Sequence, residues 1–404
     1  MGACALLAWS PAGAQRAVTR AEAEAAALSA GTRVALARAD TAAALARLLT
    51  ARTLPNPTLA ALYSKAVPQK HLTLDIPLFD ALWTRGARVG QANASARAAR
   101  LLFASERIAA LVEVDTTYTR ALAANARFRL SRQTARDADS LRKMTVVRRD
   151  AGDASDLDVD LATVVSGQQL NVTTGDSLAY MGALLTVQTL MGIPADSVAI
   201  VLADSLVLTP LDTVGVAAQV TGAGAMAGAT PSVMAAEAAL RAAELGIALQ
   251  KRSTYVLPSV SVGVEFGDPS GGELGLLPLI GLSVPLPLFN RNQGPIAEAR
   301  AERDKAQAQL AGARLAARQR LVEAMREREQ LIAKLARDRD LVVRAQRVAD
   351  KSLTAYREGA SALPAVLEAR RSAREVLGQY IEDLAALLTI NTELRALTQT
   401  VPAP

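Results

Sequence analysis

Five aspartates fall within eleven residues, Asp150, Asp153, Asp156, Asp158 and Asp160, around Gly152. Carboxylates at that density can do two kinds of work. They can sit at the positive end of a helix, where each contributes ~0.3–1 kcal/mol. Repeated by symmetry around an opening, they can concentrate cations there. Like-charge repulsion makes the first role a poor explanation of all five. Other reactive chemistry is sparse. The chain has one Cys, Cys4, and one His, His71. One of each can form neither a disulfide nor a Cys/His metal cluster within a chain. A His-dependent triad would have to use His71, which lies in an alternating strand pattern. No convergent His, Cys or Gly-rich constellation exists, so no catalytic, cofactor-binding or metal site is expected and the chain reads as a non-enzyme.

The elements that position the aspartates follow from composition. Of 404 residues half are apolar, but only 3% are aromatic. Alanine with interspersed Leu, Glu, Arg, Lys and Gln favours long helices. The net charge of +6 is spread along the chain, with few aromatics among the basic residues, so nucleic acid is not an expected partner. Beyond the N-terminus no run of ~20 apolar residues could form a transmembrane helix. Residues 1–14 read as the remnant of an export signal, apolar from Cys4 to Trp9 and followed by the small-residue pattern Ala12-Gly13-Ala14. The rival reading is an acylated Cys4.

The chain reads as a duplication. Leu54-Pro55-Asn56-Pro57 returns loosely from Leu257, Ile76-Pro77-Leu78-Phe79-Asp80 as Leu286-Pro287-Leu288-Phe289-Asn290, and the turn at Gly152 as the turn at Gly359. The offsets are 203, 210 and 207 residues. Each half reads helix, strand, loop, strand, long helix, turn, long helix. The first repeat covers 15–192, with strands near 57–63 and 70–79 and a tip at 149–160. The second covers 231–398, with strands near 256–266 and 276–288 and a tip at 356–368. An irregular connector, 193–230, separates them, and 399–404 is a tail.

The strands alternate. Val260, Val262, Val264 and Phe266 share one face, with Ser259, Ser261 and Glu265 on the other. Leu72, Leu74 and Ile76 form the apolar set of an earlier strand. Such strands suit a half-buried soluble sheet or a barrel between lipid and water, and the export signal favours the barrel. Four strands cannot enclose a lumen, so several chains must contribute. Pro77, Pro285 and Pro287 fall at strand–helix junctions, where a ladder hydrogen bond can be spared. A helix of about sixty residues spans ~90 Å and cannot fold back within a compact domain. Gly152 and Gly359 suit helix C-caps, Ser155 and Ser361 suit N-caps of the returning helices, and Pro364 suits a first turn.

Asn56-Pro57 after a helix, the Pro-Leu-Phe strand ends, and Tyr356-x-x-Gly359 followed by Val366-Leu367-x-Ala369 resemble the TolC family of outer-membrane efflux proteins, over about residues 16–398. Asn56-Pro57 and the short basic linker after each strand pair look closest to its metal-efflux branch. The resemblance implies a mainly α fold with membrane β: a trimeric twelve-stranded outer-membrane β-barrel continued by a twelve-helix periplasmic α-barrel. It implies a passive duct served by a periplasmic adaptor and an inner-membrane pump. The three prolines would mark the barrel–helix junction. The tips would form the periplasmic gate, carried by Gly152, Asp153, Asp156, Asp158, Tyr356, Gly359 and Glu368. In that carry-over Asp158 matches a gate acid and Tyr356 a gate tyrosine that bonds to a neighbouring hairpin. Ala365 stands where an acid is common. The alternative reading is a periplasmic adaptor or structural coiled-coil protein, which would have one helical hairpin where this chain has two.

Overall fold

The computed structural model describes residues 16–76, 78–196, 199–207, 230–254, 258–267, 275–284 and 286–398, with 78–81 described by backbone alone. The export-signal segment with Cys4, Pro77, Pro285, most of the expected connector and the tail lie outside the described residues. The chain divides into two compact units. Among the described residues no helix is long and apolar enough to cross a membrane.

The first unit holds described residues 16–35, 106–207 and 318–398. It opens with β1 (Arg16–Val18) and α1 (Arg20–Ala30). Thr19 caps α1 in a capping box with Glu22. The later part of α3 (Leu78–Asp150), all of α4 (Asp156–Leu190) and β4 (Ile200–Leu202) follow. The unit closes with the later part of α6 (Gln293–Arg357) and α7 (Leu363–Thr398). β1 and β4 pair in parallel, Arg16 opposite Ile200. The expected connector is therefore not wholly irregular. Three-residue strands are too short to show a period of two, so this pairing cannot be read from alternation. Polar side chains hold it. The Tyr118 hydroxyl lies 2.8 Å from both the Val18 carbonyl and Asp204 Oδ2. The Arg20 amide donates to the same carboxylate at 2.8 Å, and the Arg20 guanidinium sits over the Tyr118 ring and pairs with Asp115. Burial first, then the bond to Asp204, pushes the Tyr118 phenol well above its ordinary pKa. Val114, Tyr118, Ala121 and Leu122 of α3 pack there against Val187, Met191, Ile200 and Leu202. Leu321, Ala324 and Leu335 of α6 pack against Leu384, Leu387, Ile390 and Leu394 of α7.

The second unit holds described residues 36–105, 230–317 within their gaps. Most of α2 (Thr32–Arg52) and the start of α3 pack through Ala44, Leu48 and Ala51 against Ala92 and Ala96. Helix α5 (Pro231–Arg252) meets the start of α6 through Val233, Leu310 and Ala317. Between these helices run β2 (Thr58–Tyr63), β3 (Lys70–Ile76), β5 (Ser259–Phe266) and β6 (Leu277–Ser283). They form one antiparallel sheet, β2-β3-β5-β6, with Leu62 opposite His71, His71 opposite Glu265 and Leu277 opposite Glu265.

The register gives the sheet two unlike faces, because residues directly opposite one another share a face. Leu59, Ala61, Leu72, Leu74, Ile76, Val260, Val262, Val264, Phe266, Ile280 and Leu282 fall on one, with Tyr63 and Lys70 at its far end. Thr58, His71, Thr73, Asp75, Ser259, Ser261, Glu265 and Ser283 fall on the other, together with Leu62, Leu277 and Leu279 of the edge strands, and His71 Nδ1 lies there 2.9 Å from Glu265 Oε1. Gly263 and Gly281 share that face. A Cβ at Gly263 would lie 2.4 Å from the Leu72 carbonyl oxygen, and one at Gly281 would lie 2.2 Å from Ser261 Oγ.

Strand ends differ from the sequence expectation. β3 ends at Ile76 and α3 begins at Leu78, where strand was expected to 79. A helix needs no partner for its first amides, so it can start at once. β6 ends at Ser283 rather than 288, and β5 begins at 259 rather than 256. Pro287 has no amide to give a ladder, and the Leu288 amide turns back to the Leu286 carbonyl at 2.8 Å.

Candidate functional site

The two hairpin tips lie in the first unit, and their turns are built alike. Gly152 has φ +84° and Gly359 φ +77°, a left-handed conformation that suits glycine. At the first tip the Gly152 amide donates to Arg149 and the Asp153 amide to Arg148, at 2.9 and 2.8 Å. At the second, Gly359 donates to Tyr356 and Ala360 to Ala355, at 3.1 and 2.8 Å. Both are Schellman closures, and all four residues of the second lie 207 positions after those of the first.

The returning helices start differently. Ser155 caps α4: its hydroxyl accepts the Asp158 amide at 3.1 Å, and Asp158 Oδ2 accepts the Ser155 amide at 3.0 Å. Ser361 does not cap α7, against expectation. The helix starts at Leu363, and the Ser361 hydroxyl points to the Ala362 carbonyl. With Ser361 as cap, the third helical residue would be Pro364, which has no amide to donate.

The five aspartates have separate surroundings. Asp150 pairs with Arg149 at 2.6 Å and Asp156 lies 3.7 Å from the same guanidinium. Asp158 is taken up by the cap, while Asp153 and Asp160 are exposed. Glu368, also exposed, pairs with Arg371 at 2.9 Å, and that bond holds its carboxyl below the ordinary glutamate range.

Tyr356 is buried, with Leu141, Ala162, Leu363 and Val366 around it. Within the chain its hydroxyl meets Thr145 of α3 at 3.3 Å. Thr145 gives its own proton to the Leu141 carbonyl at 3.0 Å, so the phenol is the donor. The Arg148 guanidinium stacks on the ring, 4.6 Å from its centroid, and Nη1 donates to the Tyr356 carbonyl. One aromatic side chain thus joins the two tips. Sequence reading missed Thr145 and Arg148. The Arg148-Arg149 pair before Gly152 reads there as ordinary charge at a helix C-terminus, because its aromatic partner lies 208 residues away. Pro287 is exposed at the end of the sheet, and Pro77 and Pro285 lie outside the described residues. Among the described residues no group of three or more His, Cys, Asp or Glu side chains is placed to hold a metal ion.

The fold is similar to solved outer-membrane channels. The outer membrane protein VceC of Vibrio cholerae matches with TM-score 0.75 at 17% identity, over 94% of this chain and 96% of that one. A membrane protein of Pseudomonas aeruginosa matches with TM-score 0.69 at 22% identity, over 94% and 90%. The CmeC outer membrane channel of Campylobacter jejuni matches with TM-score 0.70 at 12% identity, over 94% and 85%. No curated protein matches by whole-sequence comparison. The family model "Outer membrane efflux protein" matches residues 69–192 and 226–399, which include the four-stranded sheet from β3 onward and both tips. The chain belongs to the outer membrane efflux protein family.

Proposed function

We propose that three copies of this chain form a passive outer-membrane duct. Each contributes four strands to a twelve-stranded barrel and four long helices to a periplasmic tunnel. The two repeats, 15–192 and 231–398, would each supply one strand pair and one helical hairpin. An inner-membrane pump would load the duct through a periplasmic adaptor, so cargo choice rests with the pump and no catalytic step falls to this chain. The tips would be its periplasmic gate, with the Tyr356–Thr145–Arg148 join holding two hairpins of one chain together and Asp153 and Asp160 lending negative charge to the mouth.

The observation that carries this reading is the sheet. Among the described residues its edge strands, β2 and β6, have no outer neighbours, and open edges invite pairing with another chain. Its apolar face is uncovered: Ile280 is 79% exposed and Leu282 67%. A face of that kind needs lipid or protein against it. The opposite face carries the His71–Glu265 pair, as a wet lumen would favour. Mass measurement in mild detergent tests the proposal. Three times the chain mass of 42.3 kDa is expected, and a stable monomer would remove the basis for a barrel.

A further inference from the structure

The sheet has a chemically marked end. The register brings Thr58, Ile76, Ser259 and Ser283 to the same edge of the four strands. All four helix connections therefore leave from that end. The residues flanking those connections are 50–56, 82–90, 248–254 and 286–294. They contain Arg52, Arg85, Arg88, Lys251, Arg252 and Arg291, and no acid. Asp80 is the nearest acid in sequence, and its side chain lies outside the described residues.

These cations are gathered in space. Arg85 Nη2 donates to the Arg52 carbonyl at 3.3 Å. A Cβ at Gly86 would lie 3.8 Å from Arg252 Nη1. Asn292, next to Arg291, donates to the Gln250 carbonyl at 2.7 Å, one residue before Lys251. Arg52, Arg85, Lys251, Arg252 and Arg291 are exposed. Arg88 has buried Nε and Nη2 atoms with no hydrogen-bond partner among the described residues. Interleaved with them stand exposed apolar side chains: Trp83 at 50%, Leu286 at 71% and Phe289 at 91%.

Exposed aromatics beside cations, at one end of an apolar sheet face, are the composition of a membrane–water interface. A cationic belt beside it attracts anionic lipid headgroups and falls off within a Debye length. Arginine suits phosphate because its planar fork can give two parallel hydrogen bonds. We propose that this belt is a binding site for the phosphate headgroups of anionic phospholipid, in the bilayer leaflet on the helix side of the sheet. The inference rests on the reading of the sheet as part of a membrane barrel. It adds a lipid preference that this reading alone does not require.

Trp83 reports on the belt. The chain's other tryptophan is Trp9, so a Trp9→Phe background leaves one fluorophore. The full chain is reconstituted into vesicles containing dibrominated phosphatidylcholine or dibrominated phosphatidylglycerol at equal mole fraction, and Trp83 quenching is read. The anionic lipid is expected to associate about fivefold more strongly or better, the scale of a single basic residue near a charged surface. The preference is expected to collapse towards one in Arg85→Gln/Arg252→Gln/Arg291→Gln, and in about 1 M NaCl, where the Debye length is ~3 Å. It is expected to persist in the matching triple Lys variant, which keeps the charge. Equal quenching by the two lipids overturns the inference while leaving the barrel reading intact. So does a preference that survives the triple Gln variant. Equal quenching by the two lipids together with inorganic phosphate binding to the detergent-solubilised chain, lost in the triple Gln variant, overturns it in favour of a free-anion site. Absence of quenching by either lipid overturns the barrel reading together with the inference.

Discussion

The four-stranded sheet and the paired hairpin tips are held together by different means. The sheet turns Val262, Ile280 and Leu282 outward and keeps His71 and Glu265 on the other face. The tips bury Tyr356, Leu363 and Val366 and expose Asp150, Asp153, Asp156 and Asp160, with Leu157 exposed among them. Helix caps, guanidinium stacking and ion pairs hold the tips, as expected for a structure in water. An exposed apolar face on a ladder whose edges are open among the described residues suits a structure whose solvent on that face is lipid. The difference supports the proposed duct, with lipid against the sheet and water around the tips.

The largest expected effect would break the comparison at the sheet. Val262→Arg places charge on the apolar face and should cost roughly 2–4 kcal/mol near a bilayer midplane. Ser261→Arg places it on the polar face and should cost far less. Recovery of each variant in the outer-membrane fraction checks this, and equal tolerance would mean that the two faces see the same solvent.

Next comes the join between the tips. Arg148→Ala removes a stacked cation and a charged donor to the Tyr356 carbonyl, with an expected loss of about 2 kcal/mol. Faster amide exchange around Gly152 and Gly359 would show it, and unchanged exchange at both glycines would mean that the tips do not depend on each other.

The two tips can then be set against each other. Ser155→Ala removes the capping box and should cost about 1 kcal/mol. Ser361→Ala should stay within about 0.5 kcal/mol, because Ser361 caps nothing. Thermal unfolding of the two variants is enough, and similar losses would contradict the difference in caps.

The smallest effect concerns acids that the helical unit buries. Asp338 of α6 and Asp383 of α7 are both buried, and Lys334 Nζ lies 2.8 Å from Asp383. Burial first, then the bond to Asp383, raises Asp338 above its ordinary value of 3.8. A carboxyl with a raised folded-state pKa binds its proton more tightly in the folded chain. The stability this adds at acid pH is lost as pH climbs from the ordinary value through the folded one. Asp338→Asn should flatten that loss, by less than the ~1 kcal/mol of a missing cap. Thermal midpoints at acid and neutral pH check it.

Much of this was legible in the sequence, for identifiable reasons. A left-handed turn suits glycine, so Gly152 and Gly359 marked both tips and the duplication. Strand alternation has a fixed period, so the faces of β5 could be assigned before the register was known. The strand ends were less legible, because prolines locate a junction only to within a few residues. Contacts between elements were not legible. Tyr356 meets Thr145 across 211 positions, and nothing local in either segment names the other. Ser361 looked like a cap until the helix start put Pro364 where an amide was needed. The pairing of β1 with β4 was too short to show a pattern.

The central proposal is that the assembled chain is a duct gated at its tips, and single-channel recording in planar bilayers tests it most directly. Tyr356→Phe removes the phenolic donor to Thr145, a bond contributing ~0.5–1.5 kcal/mol per copy, while leaving the ring on Arg148. The parent protein is expected to give discrete, long-lived conductance steps with no energy source, and the variant larger ones. An inserted protein that shows no steps in either form would contradict the claim.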